Sequence, residues 1–283
     1  MSQAANFEEY DTSVKAVGIL GASLGAFAAR NLANVALTMV SKPLVEAGWN
    51  AVFGSTEGGS SEYMSQNQTA VKTTTGDLYA TSITEDMNKK LQGAYDNLNE
   101  SLVYYKAAMD ETVASQKATL LKKALDNCYT AMTSFDDHSI WVATYYTATS
   151  QYAFIAKGVL LFQVENPDIE TIVPLSLVKA RLNSAINHVS NDKIRQEIFS
   201  TVTAKFGDVE EKGKHYPYGF TYSYDGYNNF MRNGSHDAVL NVRNSLLSTA
   251  LDLAKSQIDQ PDVVQTWKLI IQELTVNEVR YAS

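Results

Sequence analysis

Apolar residues recur at every third or fourth position along much of the chain, which is the spacing of one face of an α-helix. The first apolar stripe begins at Met87 and continues through Leu91, Ala94, Leu98, Leu102, Tyr105 and Met109. The second contains Leu121, Ala124, Leu125, Cys128, Ala131, Met132 and Phe135. The polar residues Asp136, Asp137 and His138 then predict a turn between two helices. Similar stripes run from Val178 to Phe206 and from Val242 to Ala254.

The segment from Ser139 to Val164 differs from these stripes, because Lys157 is its only charged residue. Its apolar and aromatic side chains fall on every face of a helix and include Trp141, Tyr145, Tyr146, Tyr152, Phe154, Ile155, Leu160 and Phe162. A helix that is apolar all round must be surrounded. Its 26 residues would extend about 39 Å, beyond the roughly 30 Å hydrocarbon core of a bilayer. However, Thr144, Thr147, Thr149, Ser150 and Gln151 make it too polar for a permanent membrane span.

Two interpretations of this segment remain open: a central core helix of a soluble bundle, or a core helix that also inserts into a membrane when the bundle opens. The preceding amphipathic segment, Ser115 to Phe135, favours insertion, because a hairpin of one apolar and one amphipathic helix can face both lipid and water. In that interpretation the apolar side chains named above contact lipid. Lys122, Lys123 and Asp126 line a pore, and Asp136, Asp137 and His138 form the hairpin tip that inserts first.

The remaining pattern predicts an all-α fold. The glycine- and tyrosine-rich stretch from Ala204 to Tyr227 is expected to be an ordered loop between helices, and no convincing strand precedes the final residues. We count roughly seven helices with short connections, and therefore expect a bundle of antiparallel helices in a single domain, residues 1–283.

Composition and charge exclude several classes of protein. The chain has 45% hydrophobic residues, enough for a sizeable core, and its net charge of -8 without a Lys/Arg cluster argues against a nucleic-acid partner. The single cysteine, Cys128, excludes an internal disulfide and a cysteine-clustered metal site. The polar and acidic stretch from Met1 to Tyr10 is unlike a signal peptide. We therefore expect synthesis without Sec-type export, in the cytoplasm or an inclusion, followed by release.

No motif indicates an enzyme, and we expect no catalytic residue, cofactor or metal. His138, His188, His215 and His236 lack the spacing of metal ligands, and surface or loop positions are expected for them. The glycines at 18, 21 and 25 indicate close helix packing rather than a nucleotide loop, since no strand precedes them and no Lys-Ser/Thr follows.

Six short motifs occur in an order that resembles the N-terminal, pore-forming helical domain of the three-domain insecticidal crystal toxins, the Cry δ-endotoxins. They are Trp49–Gly54, Leu91–Leu98 with Tyr104 and Tyr105, Leu125–Asn127 with Ala131, Tyr145–Phe162, Tyr227–Phe230 with Arg232, and Gln272–Val279. Asp126 takes the place of the family's pore-lining aspartate, and Lys157 stands where an arginine is usual. Departures include Gly234–His236, which interrupts the seventh helix, and the absence of the family's β-rich domains after Ser283.

The resemblance implies a toxin with a seven-helix bundle around a central hydrophobic helix. Its fourth and fifth helices, here about 115–164, would insert as a hairpin into gut epithelial membranes and oligomerise into a cation-permeable pore. The partners implied are target-cell membrane lipid, further copies of the chain and a protein receptor. Residues 262–283 would form the strand that leads into the absent domains. The competing hypothesis is a non-lytic interaction module that binds a partner protein through the 208–227 loop.

Overall fold

The computed structural model describes residues 29–39, 41, 44, 47–50, 85–136, 142–192, 204–211, 214–222 and 259–281. Only the backbone is described at 85, 87, 88, 142, 143, 204–211 and 214–222. The elements are α1 (29–38), α2 (Glu85–Asp110), α3 (Ala114–Asp136), α4 (Val142–Glu165), α5 (Leu175–Val189), β1 (Ala204–Glu211), β2 (Lys214–Tyr222), α6 (Pro261–Val276) and α7 (Glu278–Tyr281). Helices dominate the described residues, which confirms the predicted all-α character at this level.

Helices α2 and α3 pack against each other through the apolar stripes that the sequence predicts. The buried residues of α3 are Leu121, Ala124, Leu125, Cys128, Ala131, Met132 and Phe135, in agreement with the predicted stripe. The two helices are antiparallel, since Asn127 bonds to Glu100 near their middle and Tyr95 packs on Phe135 near one end. Glu111 closes the turn between them by accepting the backbone N–H groups of Thr112 and Val113 at 2.7 and 2.8 Å.

Helix α4 is buried on every face. All its side chains from Thr144 to Gln163 are buried, including those that are polar. It packs beside α3, α5, α6 and α7, and its Phe154 ring also meets Tyr105 of α2, with ring centroids 5.4 Å apart. The core of the described part of the molecule is therefore built around the segment that the sequence identifies as nearly free of charge.

The 204–227 stretch, expected to be a loop, instead contains a β-hairpin. Strands β1 and β2 are antiparallel, with Ala204 opposite Tyr222, Glu211 opposite Lys214, and an irregularity between Gly207 and Val209. The sequence carries a signal for β2 that our pattern analysis missed, the alternation of aromatic residues at Tyr216, Tyr218, Phe220 and Tyr222.

The strand expected over 262–283 is also wrong, because Pro261–Val276 forms helix α6. Proline at the first helical position suits a helix start, since its missing N–H would have no intrahelical partner there. The buried residues of α6 follow helical spacing, at Val263, Thr266, Trp267, Ile270 and Leu274. A short helix, Glu278–Tyr281, follows directly. The expected strand follows from the resemblance at Gln272–Val279, whereas the spacing of apolar residues over 261–276 is helical.

Candidate functional site

The candidate site is the antiparallel pair α3 and α4, which coincides with the hairpin predicted over about 115–164. Within the pair, the Cys128 thiol donates to the carbonyl of Ala148 at 3.7 Å, and the rings of Tyr129 and Tyr152 have centroids 6.0 Å apart. Both contacts join one helix of the hairpin to the other. The two helices therefore have an interface of their own, separate from their contacts with the rest of the bundle.

The residues predicted to contact lipid are buried inside the bundle, apart from one that is not described. The buried members of the set are Tyr145, Tyr146, Tyr152, Phe154, Ile155, Leu160 and Phe162, while Trp141 lies outside the described residues. Tyr146 stacks on Trp267 of α6 with centroids 5.5 Å apart. Each of these side chains would lose its apolar surroundings if α4 left the bundle into water, and burying one of them is worth about 1.5–3 kcal/mol.

The residues predicted to line a pore lie on the outer face of α3. Lys122, Lys123 and Asp126 are all exposed, and the Lys123 ammonium lies 5.4 Å from the centre of the Tyr104 ring. Helix α3 is thus amphipathic as expected, with its charges on water and its apolar stripe inside. Of the predicted hairpin tip, Asp136 is the last residue of α3, whereas Asp137 and His138 lie outside the described residues.

Two of the polar side chains of α4 bond to helices on different sides. Gln151 donates to the carbonyl of Leu98 at 2.8 Å and to the Ser101 hydroxyl at 2.7 Å, which fixes α4 against α2. On the α6 side, the indole N–H of Trp267 donates to the Ser150 hydroxyl at 3.0 Å. Buried polar groups need such partners, since a buried donor or acceptor without a hydrogen bond costs about 1–3 kcal/mol.

The C-terminal half of α4 also makes polar contacts with other segments. The Lys157 ammonium lies 2.5 Å from the Glu273 carboxylate of α6. Near the end of α4, Gln163 accepts the backbone N–H of Val173 at 2.8 Å and donates to its carbonyl at 3.1 Å. The composition of the 139–164 segment predicts that its polar residues belong to a core helix, but their partners lie on other segments and no local pattern reveals them.

Helix α5 contacts both helices of the hairpin. Arg181 lies over Tyr129 of α3 and bonds to Tyr152 of α4. His188 pairs through Nδ1 with the Asp136 carboxylate, and its ring centroid is 4.5 Å from that of Tyr145. His188 was expected at the surface or in a loop, but its side chain is only 15% exposed because it packs against Asp136 and Tyr145.

Several ionisable groups have shifted pKa values, and three of them lie on α5, α6 and α7. Burial holds the pKa of His188 below its ordinary value, and the Asp136 carboxylate offsets part of that lowering. Burial also raises the pKa of Tyr281, and the Glu273 carboxylate adds to that effect, so the phenol remains protonated and donates to Glu273 at 3.0 Å. A hydrogen bond from Arg30 lowers the pKa of Asp262.

Within the described part of the chain, no group of three His, Cys, Asp or Glu side chains is arranged to hold a metal ion. None of the helices described reaches the length and apolarity of a membrane-crossing segment. No model of a known protein family matches the chain, and no curated protein or solved structure is significantly similar to it.

Proposed function

We propose that this chain is a pore-forming toxin domain of the δ-endotoxin type, a seven-helix bundle in which α4 is the central helix. In this proposal the α3–α4 hairpin leaves the bundle, inserts into a target-cell membrane and oligomerises into a cation-permeable pore. The resemblance to the crystal toxins implies that the target is the insect gut epithelium and that a protein receptor takes part.

The observation that carries the proposal is the pairing of α4 with α3. Helix α4 has 20 consecutive buried residues, from Thr144 to Gln163, with Lys157 as their only charge. Helix α3 has a buried apolar stripe and an exposed charged face. Such a pair can place apolar side chains on lipid and charges on a water-filled lumen while every helix keeps its own backbone hydrogen bonds.

The polar side chains of α4 favour an oligomer over a single inserted hairpin. Ser150, Gln151 and Lys157 have partners on α2 or α6, which this proposal leaves outside the membrane. Polar groups in hydrocarbon find partners on neighbouring helices or in a water-filled cavity. Several hairpins side by side would provide both, and the lumen would contain Lys122, Lys123 and Asp126.

Dye release from liposomes tests the proposal. The purified chain, with or without trypsin nicking in the first 30 residues, is mixed with neutral and with anionic vesicles over a range of pH. Release under any of these conditions is the expected result. An absence of release under all of them would contradict pore formation.

A cross-linked variant tests whether the hairpin must separate from α5. Tyr145→Cys and His188→Cys, in a Cys128→Ala background, place two thiols where the native rings are in contact. Joining them with a short bismaleimide should abolish release, because α4 is then tethered to α5. The same variant without cross-linker is the control and should retain release. Equal release from both would show that no such separation is needed.

A second candidate function is the non-lytic interaction module. The observation that favours it is the β-hairpin, whose strand β2 carries alternating aromatic residues within the 208–227 segment. Aromatic residues are enriched at protein interfaces. This candidate predicts a stable complex with a protein partner, and its loss in pull-downs after Tyr222, Tyr224 and Tyr227 are changed to Ser, with membranes unaffected throughout.

A further inference from the structure

The acidic residues of the last two helices described, α6 and α7, all form ion pairs with other helices. Each of these three residues pairs with a base from a different helix. Asp262 pairs with Arg30 of α1, Glu273 with Lys157 of α4, and Glu278 with Lys179 of α5, the last at 3.4 Å. Ion pairs therefore connect the C-terminal helix pair to α1, α4 and α5.

Only one of these three ion pairs is buried. The side chains of Lys157 and Glu273 are 1% and 17% exposed, whereas those of Arg30 and Asp262 are both 48% exposed and that of Glu278 is 56% exposed. Exposed ion pairs contribute little because water and salt screen them. Removing one partner of a buried pair is far more disruptive, since the other charge is left without compensation. Of the three ion pairs, the one between Lys157 of α4 and Glu273 should therefore contribute most to holding α6 and α7 in place.

The Glu273 carboxylate is held in place on both oxygens. Its Oε2 contacts the Lys157 ammonium at 2.5 Å, and its Oε1 accepts the Tyr281 hydroxyl at 3.0 Å and the Asn277 amide at 3.2 Å. Tyr281 is itself buried, and its ring centre lies 6.0 Å from the Lys157 ammonium. Helix α7 therefore closes over the ion pair and keeps it from water.

The same side of α4 is covered by Trp267, which bonds to Ser150 and stacks on Tyr146. These contacts lie about two to three turns from Lys157 along α4, so α6 covers this face over much of its length. If α4 moved while α6 stayed in place, the Lys157 ammonium would lose Glu273 and the Ser150 hydroxyl would lose Trp267.

We propose that the Lys157–Glu273 pair holds α4 in the closed bundle, so that α4 leaves only after α6 and α7 have separated from it. The pair thus regulates the step on which membrane insertion depends. That membrane consequence rests on the proposed function, whereas the closed state itself can be tested in solution.

Hydrogen exchange of the full chain without lipid tests whether the Lys157–Glu273 pair holds α4 in place. Exchange is measured by mass spectrometry on peptides from 142–165 and 261–276. Glu273→Gln removes the buried counter-ion, and Glu278→Gln removes an exposed one as the matched control. Glu273→Gln should speed exchange of both peptides by between about tenfold and a hundredfold. Glu278→Gln should change it by no more than about twofold. Equal exchange in the two variants would overturn the proposal.

A charge reversal covers the case in which a single variant fails to fold. Lys157→Glu and Glu273→Lys each place like charges together, and the double variant restores an opposite pair. The double variant should exchange at least about tenfold more slowly than either single variant, or fold where they do not. No recovery in the double variant would overturn the proposal, because the charge pairing would then not be what holds α4.

Dye release separates this inference from the proposed function. Faster release by Glu273→Gln together with faster exchange supports both. Faster exchange without dye release by any variant supports the proposal that the Lys157–Glu273 pair holds α4 in place, but it contradicts pore formation. Faster dye release with unchanged exchange overturns the proposed role of the Lys157–Glu273 pair but is consistent with pore formation.

Discussion

The guanidinium of Arg181 lies 3.4 Å from the centre of the Tyr129 ring. Its Nη1 also donates to the Tyr152 hydroxyl at 3.3 Å. Since Tyr129 belongs to α3 and Tyr152 to α4, a single side chain of α5 is attached to both helices of the hairpin. A planar cation suits this position, because it can stack on one ring while it donates a hydrogen bond in its own plane.

Arg181→Lys should therefore destabilise the chain although it keeps the charge. A lysine ammonium lacks the planar fork and cannot stack and donate in the same way. We expect a loss of about 1–2 kcal/mol in the free energy of unfolding, measured by urea denaturation. Lys179→Arg on the same helix, which keeps an exposed ion pair with Glu278, is the control and should be close to wild type. A fully stable Arg181→Lys variant would contradict the importance of the stacking.

The burial of His188 predicts a loss of stability at mildly acidic pH, which its contact with Asp136 only partly offsets. Burial holds the pKa of His188 below its ordinary value in the folded chain. The unfolded chain therefore binds more protons as the pH falls below about 6.5, and the free energy of unfolding decreases. Thermal unfolding measured between about pH 7 and pH 5.5 should show this slope, and His188→Gln should flatten it. A slope that is unchanged in His188→Gln would assign it to other groups.

Two helical glycines should respond to alanine in opposite directions. At Gly158 an added Cβ would lie 2.0 Å from the Tyr105 hydroxyl, and the Tyr105 ring is held between Trp49 and Phe154. Gly158→Ala should therefore cost about 1–3 kcal/mol. At Gly93 an added Cβ meets nothing within 4 Å, so Gly93→Ala should stabilise the chain by about 0.5–1 kcal/mol through helix propensity. Chemical denaturation of the two variants measures both; a tolerated Gly158→Ala would mean that Tyr105 can move.

Truncation of Phe154 should be among the most destabilising single changes in the described core. Its side chain has no exposed surface and packs against Tyr105. Phe154→Ala should cost about 3–5 kcal/mol because it leaves a cavity. Val279, which is 92% exposed, provides the contrast, and Val279→Ala should change the free energy of unfolding by no more than about 0.5 kcal/mol. Similar losses in both variants would contradict the burial described for α4.

Much of the helical core could be predicted from local pattern. The stripe from Leu121 to Phe135 is buried as its spacing requires, because one face of an amphipathic helix has few alternatives to the core. The near absence of charge around Phe154 likewise predicts burial on all sides. In both cases the information lies within one helix, where period and composition can be recognised directly.

The contacts that position α4 could not be predicted in this way. Nothing near Lys157 in the sequence indicates Glu273, and nothing near Asp136 indicates His188, since both pairs form only when the helices pack. The errors at 204–222 and 261–276 have another origin. Each segment carries a local signal of its structure, alternating aromatic residues in the first and helical spacing in the second.

The partners in the Lys157–Glu273 pair are 116 residues apart in the chain. A ribosome that adds about 5–20 residues per second needs about 6 to 23 seconds to reach Glu273 after it has made Lys157. During that interval the nascent polypeptide carries the α4 segment without the helix that will cover Tyr146 and Ser150. The cell that synthesises the protein is therefore the first to encounter that segment uncovered.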